Sequence, residues 1–414
     1  MNMLRKCLHP IQSYNQNNQV SFATALCYSQ LCQFSESNSI LKRLNSCQQV
    51  DQLAQFNNDK IEEARNCQYD FNHMLKEAET NFFITCDDYA STQIKTVYSK
   101  QFGRSIFSAQ NINAGTILLV EKAFLLGDSD LVLNEQLELK MQLYQKHNLL
   151  FTQLVGTSVQ DKLDNNCFSV NPCLQHAFAD STQSGVQCIA LKAAQFNHSC
   201  LPNARRFFIG DVIVIVAASD IPAGEQVFLN YYNLFDGIGN ALELQRQYGF
   251  KCSCKFCKSL SPRRTKQIDS LLAKYKAARQ RLSRVQLLKV VQDFRDLRKE
   301  LEVPLELYYF PLIESEMMTD TGERSSEAIG DALRLDADFN LLPGGYVIDE
   351  FLFLLYELES REPFSRYLHY ATGGVLDYDR YAELLQRQYT QSESALSSLE
   401  SKQMRCQNIL RAVQ

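Results

Sequence analysis

Thiol, imidazole and phenol groups crowd into three short stretches of this 414-residue chain. The first is Asn197-His198-Ser199-Cys200-Leu201-Pro202-Asn203. The second is "PAGEQVFLNYY", a turn that delivers Tyr231 and Tyr232 at the end of a strand. In the third, "QYGFKCSCKFC", Tyr248 and Phe250 precede Cys252, Cys254 and Cys257. Three thiols at C-x-C-x-x-C spacing suit one zinc ion. A tetrahedral structural site needs a fourth ligand, for which Cys200 is the natural candidate. The plainer alternatives are unliganded thiols and a capped turn. Three thiols within six residues, flanked by lysines, weigh against the first of these. A fourth stretch, "KQFGRSIFSAQNINAGTILLVEKAF", reads as a glycine hairpin, a strand and a second tight turn, and alone says little.

The elements that must position these groups divide the chain in three. Residues 1–91 carry apolar side chains at three- and four-residue steps, including Leu41, Leu44, Leu53, Phe56 and Ile61, and read as helical. Their cysteines (Cys7, Cys27, Cys32, Cys47, Cys67, Cys86) form no C-x-x-C pair and read as small core residues. Residues 92–260 switch to short β-branched runs broken by Gly103 and Asn113-Ala114-Gly115, with helical character over 130–160. Residues 261–414 are helical again. There "IDSLLAKYKAARQRLSRVQLLKVVQDFRDLRKEL" reads as one long amphipathic helix with Leu271, Tyr275, Leu282, Leu288, Val291 and Phe294 on one face. The expected class is α+β, a mixed-β domain flanked by helical regions, and the chemistry belongs to the middle block.

Composition narrows the function. Hydrophobic content of 45% and charged content of 21% fit a globular protein. A net charge of −5 excludes an overall polyanion binder, but Lys251–Glu300 holds fifteen Lys/Arg against four Asp/Glu. That segment either contacts nucleic acid weakly or is the solvated face of a helix, and the second reading is preferred. No apolar run approaches the ~18–20 residues that span a bilayer. The N-terminus lacks the apolar core of a secretory signal. A reducing compartment, cytoplasm or nucleus, is therefore expected, where clustered cysteines indicate metal rather than disulfide.

In order and spacing, the glycine hairpin, N-H-S-C-x-P-N, G-E-x-x-x-x-x-Y and C-x-C-x-x-C resemble the SET domain of protein lysine methyltransferases, most of all its SMYD type. The likeness runs from about Tyr98 to Lys258. It implies an enzyme that moves a methyl group from S-adenosylmethionine to a lysine of a histone or other protein; a monomer is the default expectation. It also implies a post-SET zinc held by Cys200, Cys252, Cys254 and Cys257. By the same resemblance Gly103, Arg104, Asn197, His198, Tyr231 and Phe250 contact the cofactor. Tyr231 and Tyr248 serve catalysis, and Asn166, Phe168 and Tyr248 line the lysine channel.

Two departures matter. Ser105 stands where the hairpin usually has a second glycine, a source of strain if its φ is positive. Between Glu121 and Asn197 only Cys167, Cys173 and Cys188 occur, so the MYND zinc finger of that type is missing. The C-terminal helices occupy the position of that type's TPR-like domain. The alternatives are a SET-fold binding module without turnover and a chromatin or nucleic-acid adaptor.

Overall fold

The computed structural model describes residues 16–78, 83–99, 103–127, 130–143, 154–170, 186–231, 244–245, 248–281 and 283–301, with 376 and 379. Among the described residues, four helices come first: α1 (Gln16–Gln30), α2 (Phe34–Leu41), α3 (Gln48–Arg65) and α4 (Phe71–Ala78). The first three share a small core of Phe22, Ala25, Leu41 and Val50. They are joined by a buried polar bridge in which Ser29 Oγ donates to Asn57 Oδ1 (2.7 Å) and Asn57 Nδ2 donates to Ser37 Oγ (2.8 Å). Phe56, expected in the apolar face, is 41% exposed and touches Phe34 edge-on.

The cysteines of this region depart from expectation. Cys86 is buried, Cys27 is exposed, Cys32, Cys47 and Cys67 are half-buried, and Cys7 lies outside the described residues. The cause is local. Cys32 (φ 57°) and Cys67 (φ 52°) occupy the left-handed position just past α1 and α3. Each closes a Schellman motif: Cys67 N–H donates to Ala64 O and Gln68 N–H to Glu63 O, and the same pattern joins Cys32 to Ser29 and Gln33 to Tyr28. Helix termination, rather than burial, places these two thiols.

A four-stranded antiparallel sheet forms the centre: β1 (Tyr89–Ala90), β4 (Ile117–Lys122), β10 (Val212–Ala217) and β9 (Ala204–Ile209), in that order. Every residue of β9 and β10 is buried, as the continuous apolar run of β10 requires; β9 buries Arg205 and Arg206 as well. Beside it lie a hairpin of β2 (Ile94–Ser99) and β3 (Gly103–Ser108) and a three-stranded sheet of β5 (Leu125–Gly127), β7 (Gln187–Ile189) and β6 (Cys167–Ser169). A short parallel pair joins β8 (Asn197–His198) to β11 (Phe228–Leu229). Helix α5 (Asp130–Leu143) forms the first part of the expected 130–160 segment; residues 154–158 are not helical, and a second helix, α6 (Val159–Asn166), begins at its end. Ser158 starts α6 with a reciprocal capping box to Asp161.

After the strands come α7 (Lys255–Ser259), α8 (Pro262–Gln280) and α9 (Arg284–Arg298). The long helix expected here is interrupted. Ser283 takes an extended conformation (φ −103°, ψ 97°). The chain doubles back, so that Arg264 meets Glu300 (3.7 Å) and Lys274 meets Asp293 (3.4 Å). Folding back lets Leu271, Tyr275, Val291 and Phe294 bury together, where one straight helix would leave half that stripe exposed. One contiguous core runs from Tyr69, Phe71 and Met74 through the central sheet to Phe256, Leu272 and Phe294. The expectation of further helices beyond residue 301, and with it the TPR-like arrangement, falls outside the described residues, as do Leu282 and Tyr232.

Candidate functional site

Parallel pairing of β8 with β11 sets Asn197 opposite Phe228 and His198 opposite Leu229. The Ser199 N–H continues the pair by donating to Leu229 O (2.9 Å). This brings the N-H-S-C stretch alongside Tyr231, two residues past the end of β11. The Tyr231 N–H donates to His198 Nδ1 (3.1 Å), and the Tyr231 hydroxyl donates to Phe196 O (2.6 Å). Because Nδ1 accepts, the ring proton of a neutral His198 sits on Nε2, which lies 3.4 Å from Cys200 Sγ. One imidazole thus ties Tyr231 to the cysteine group.

Four rings close around this point. Centroid distances are 5.4 Å for His198–Tyr231, 5.2 Å for Tyr231–Tyr248, 6.3 Å for Tyr248–Phe250 and 6.3 Å for His198–Phe250. Burial, then the neighbouring Tyr248, raises the Tyr231 phenol well above its ordinary pKa. At neutral pH it is a hydrogen-bond donor, not a base.

The β2–β3 hairpin adjoins this cluster through Asn197, whose Nδ2 donates to Ser105 Oγ (2.8 Å). Gly103 has φ +64° and open space where a Cβ would stand, so the backbone angle alone calls for glycine. Ser105 is not among the residues with positive φ, so it carries no strain and supplies an acceptor that glycine lacks. Arg104 faces Tyr98 across the hairpin, and partial burial holds its guanidinium below the ordinary pKa.

The sulfurs of Cys200, Cys252, Cys254 and Cys257 all lie within 4.8 Å of one another. Cys200 is 3.9 Å from Cys252 and 3.5 Å from Cys257, and no two are joined in a disulfide. Zinc–sulfur bonds of about 2.3 Å in a tetrahedron place sulfurs roughly 3.8 Å apart, so donor set and spacing are compatible with zinc. Local structure holds the group. Phe256, fully buried, anchors the loop in the core. Cys254 caps α7 by accepting from Cys257 N–H (3.5 Å). Hydrogen bonds among the four thiols pull Cys254 down to about 6 and Cys252 lower still while they push Cys200 and Cys257 up, so the protons are shared unequally across the group.

Of the two residues near position 167, Phe168 is buried beneath the guanidinium of Arg206, 4.8 Å from its ring centroid. Arg206 also acts electrostatically on Tyr231, which links Phe168 to the ring cluster. Asn166 is engaged elsewhere. Its amide donates to Val155 O (2.8 Å) and Lys162 O (2.7 Å), and its oxygen accepts from Val155 N–H (3.1 Å). Reading the chain also missed Glu121. Its buried carboxylate accepts from the N–H groups of Lys192 and Ala193 (2.8 Å each) and holds the turn that leads into β8. The one available signal for Arg206 was a pair of arginines inside an otherwise apolar strand, "NARRFFIG". A separate cavity of about 330 Å³, lined by Ile61, Arg65, Asp87, Asp88 and Tyr89 among others, shares no residue with this cluster. No helix among the described residues is long and apolar enough to cross a membrane.

Residues 103–232 match the SET domain family. A "Methyltransferase" of Gibberella zeae is 25% identical over 258 residues, which is 48% of this chain and 35% of the relative. The "Histone-lysine N-methyltransferase ASHR2" of Arabidopsis thaliana is 39% identical over 75 residues, 16% of this chain and 19% of the relative. The chain thus spans about a third or less of the length of these relatives. The solved structure of the Neurospora SET domain protein DIM-5, a histone lysine methyltransferase, overlaps 34% of this chain and 52% of its own, at 15% identity and a TM-score of 0.21. At that score it carries no weight.

Proposed function

We propose that this protein is a protein lysine N-methyltransferase that uses S-adenosylmethionine, with a structural zinc on the four cysteines. One observation carries the reading. Asn197, His198, Tyr231, Tyr248 and Phe250 converge beside the Gly103–Ser105 strand, within and just beyond the segment that matches the SET family. When bound, S-adenosylmethionine supplies an electrophilic methyl on a sulfonium. The chain's task is to deliver a neutral amine in line with it. Lysine, with an ordinary pKa of ~10.4, arrives as an ammonium at neutral pH. An aromatic channel of Phe168, Tyr231 and Tyr248 disfavours that charge and aligns the nitrogen. The Tyr231 phenol, kept protonated, holds its place through Phe196 O. We assign Asn197 and Gly103–Ser105 to the cofactor and the zinc to folding 248–258 over the site. Asn166 supports the 154–156 segment rather than the channel.

The four-cysteine arrangement supports the SMYD-like reading, and the names of the relatives make histones the first acceptors to try. A monomer in the cytoplasm or nucleus is the working expectation. The rival adaptor reading rests on exposed Arg263 and Lys266, while Glu300 and Asp293 partly neutralise Arg264 and Lys274.

The test is incubation with radiolabelled S-adenosylmethionine, core histones and a cell lysate, beside Tyr231→Phe. Label on lysine that drops at least tenfold in the variant is expected. Cofactor binding without label on any protein would favour a SET-fold binding module.

A further inference from the structure

Arg206 is an unusual residue for its place. It sits in the middle of β9, where every position is buried, and is itself only 4% exposed. Its guanidinium lies 4.8 Å over the Phe168 ring, a cation–π contact in a nearly dry setting. The same charge reaches the Tyr231 hydroxyl from β9 and the Cys188 thiol from β7. The ionisable groups around it are therefore Tyr231, with Tyr248 behind it, and Cys188, whose surroundings include Cys167, Glu121 and Asp211. Phe168 and Tyr231 are two of the three rings assigned above to the lysine channel, and Arg206 is the fixed cation that stacks on the first and acts electrostatically on the second.

We propose that Arg206 is a charge-setting residue of the channel wall, which makes the site accept the substrate amine in its neutral, nucleophilic form. This rests on the methyltransferase reading. The physics is like-charge repulsion across a medium of low effective dielectric. A guanidinium stays protonated at any working pH, so a second full positive charge beside Phe168 and Tyr231 is disfavoured. The incoming ammonium gives its proton to water. Its lone pair then forms the N–C bond as the sulfonium S–C bond breaks, and the positive charge passes from sulfur to nitrogen. In the transition state the nitrogen bears only part of that charge. Arg206 therefore raises the energy of the bound ammonium more than that of the transition state. Relative to the neutral amine it is mildly unfavourable, and it hastens departure of the charged product.

This asymmetry gives a signature that structural damage cannot imitate. The saturated rate, which reports ionisations of the bound complex, is measured from pH 6 to 10 with the acceptor that labels in the experiment above. Wild type is expected to rise along a limb centred well below 10.4. Arg206→Gln moves the limb up by about one unit, so its rate at pH 7 is about tenfold lower. Above its limb the variant equals or exceeds wild type, so the curves cross. Arg206→Lys, which keeps the charge, keeps the limb.

A glutamine variant slower by one factor at every pH has lost packing alone, and overturns the proposal. So does Arg206→Gln faster at all pH values, which would make Arg206 a plug in the channel. If uncharged variants do not fold, wild type decides: a limb at or above the free-lysine value overturns the proposal. Wild type that labels no protein at any pH defeats the methyltransferase reading and this inference together. A normal limb indifferent to Arg206 defeats the inference alone.

Discussion

Asn197 donates to the Ser105 hydroxyl and so joins the hairpin to the strand pair, beside the backbone bond from Val227 N–H to Ile106 O. A residue that seemed a defect of the glycine pattern is the acceptor for the motif 92 positions later. Ser105→Ala removes that acceptor from a residue only 1% exposed. Loss of this bond at a buried position should cost about 1–2 kcal/mol of stability. Cofactor affinity should weaken roughly tenfold as Asn197 loses its orientation. Calorimetric titration of S-adenosylmethionine against both proteins measures the second effect, and equal dissociation constants would separate Asn197 from the cofactor. Gly103→Ala should be milder in packing terms, since nothing stands within 4 Å of the added carbon; its cost is the left-handed backbone, about 1 kcal/mol.

At the scale of elements, two loops carry the site. The 250–258 loop has little regular structure before α7 and depends on its sulfurs. Cys254→Ser should lower zinc content from one per chain toward none and open this loop to protease; elemental analysis and timed digestion measure both. Metal-free wild type of unchanged stability would refute the zinc assignment.

The turn ahead of β8 depends on Glu121, which burial pushes up to about 7 despite its two backbone donors. A folded pKa above the unfolded value of about 4.5 means that the folded state holds the proton more tightly. The resulting stability is fully present below pH 4.5 and is lost as pH rises through 7. From this group alone, unfolding free energy should fall by roughly 3 kcal/mol across that window. Urea melts at pH 5 and pH 8 should show the slope in wild type and not in Glu121→Gln.

The whole molecule is stapled where the leading helices meet the central sheet. Asp211 receives the Ile84 N–H (2.8 Å) and the Lys122 ammonium (2.9 Å), and Lys122 also donates to Ile84 O. Tyr69 adds a bond to Asp87 O (2.8 Å). Asp211 is 2% exposed, so Lys122→Met leaves a buried carboxylate without its cation. A loss of about 3 kcal/mol is expected, seen as a lower denaturation midpoint. A shift below 0.5 kcal/mol would show the two segments held by apolar contact alone. The core supports the staple, since Tyr69, Phe71 and Met74 belong to the same cluster as the central strands.

Part of the candidate site was legible in residue types and spacing. C-x-C-x-x-C with a distant Cys200 points to four thiols in one group, because thiol number and interval are properties of the chain, and the structure brings their sulfurs together. Strand character in "DVIVIVAA" and helical character over 16–78 follow from apolar period alone. Four things needed the tertiary structure. Whether Ser105 is strained depends on a backbone angle, and whether it is useful depends on Asn197 arriving opposite it. Asn166 and Phe168 lie two residues apart but in different elements: Asn166 ends α6 and bonds back to Val155 and Lys162, whereas Phe168 sits in β6 beneath Arg206, and the point where helix gives way to strand is set by tertiary packing. Cys32 and Cys67 are placed by helix termination, which apolar period cannot foresee. Arg206 reads as a surface charge in one dimension. Only the pairing of β9 within a buried sheet, with Phe168 brought over from β6, makes it a cation held inside the protein.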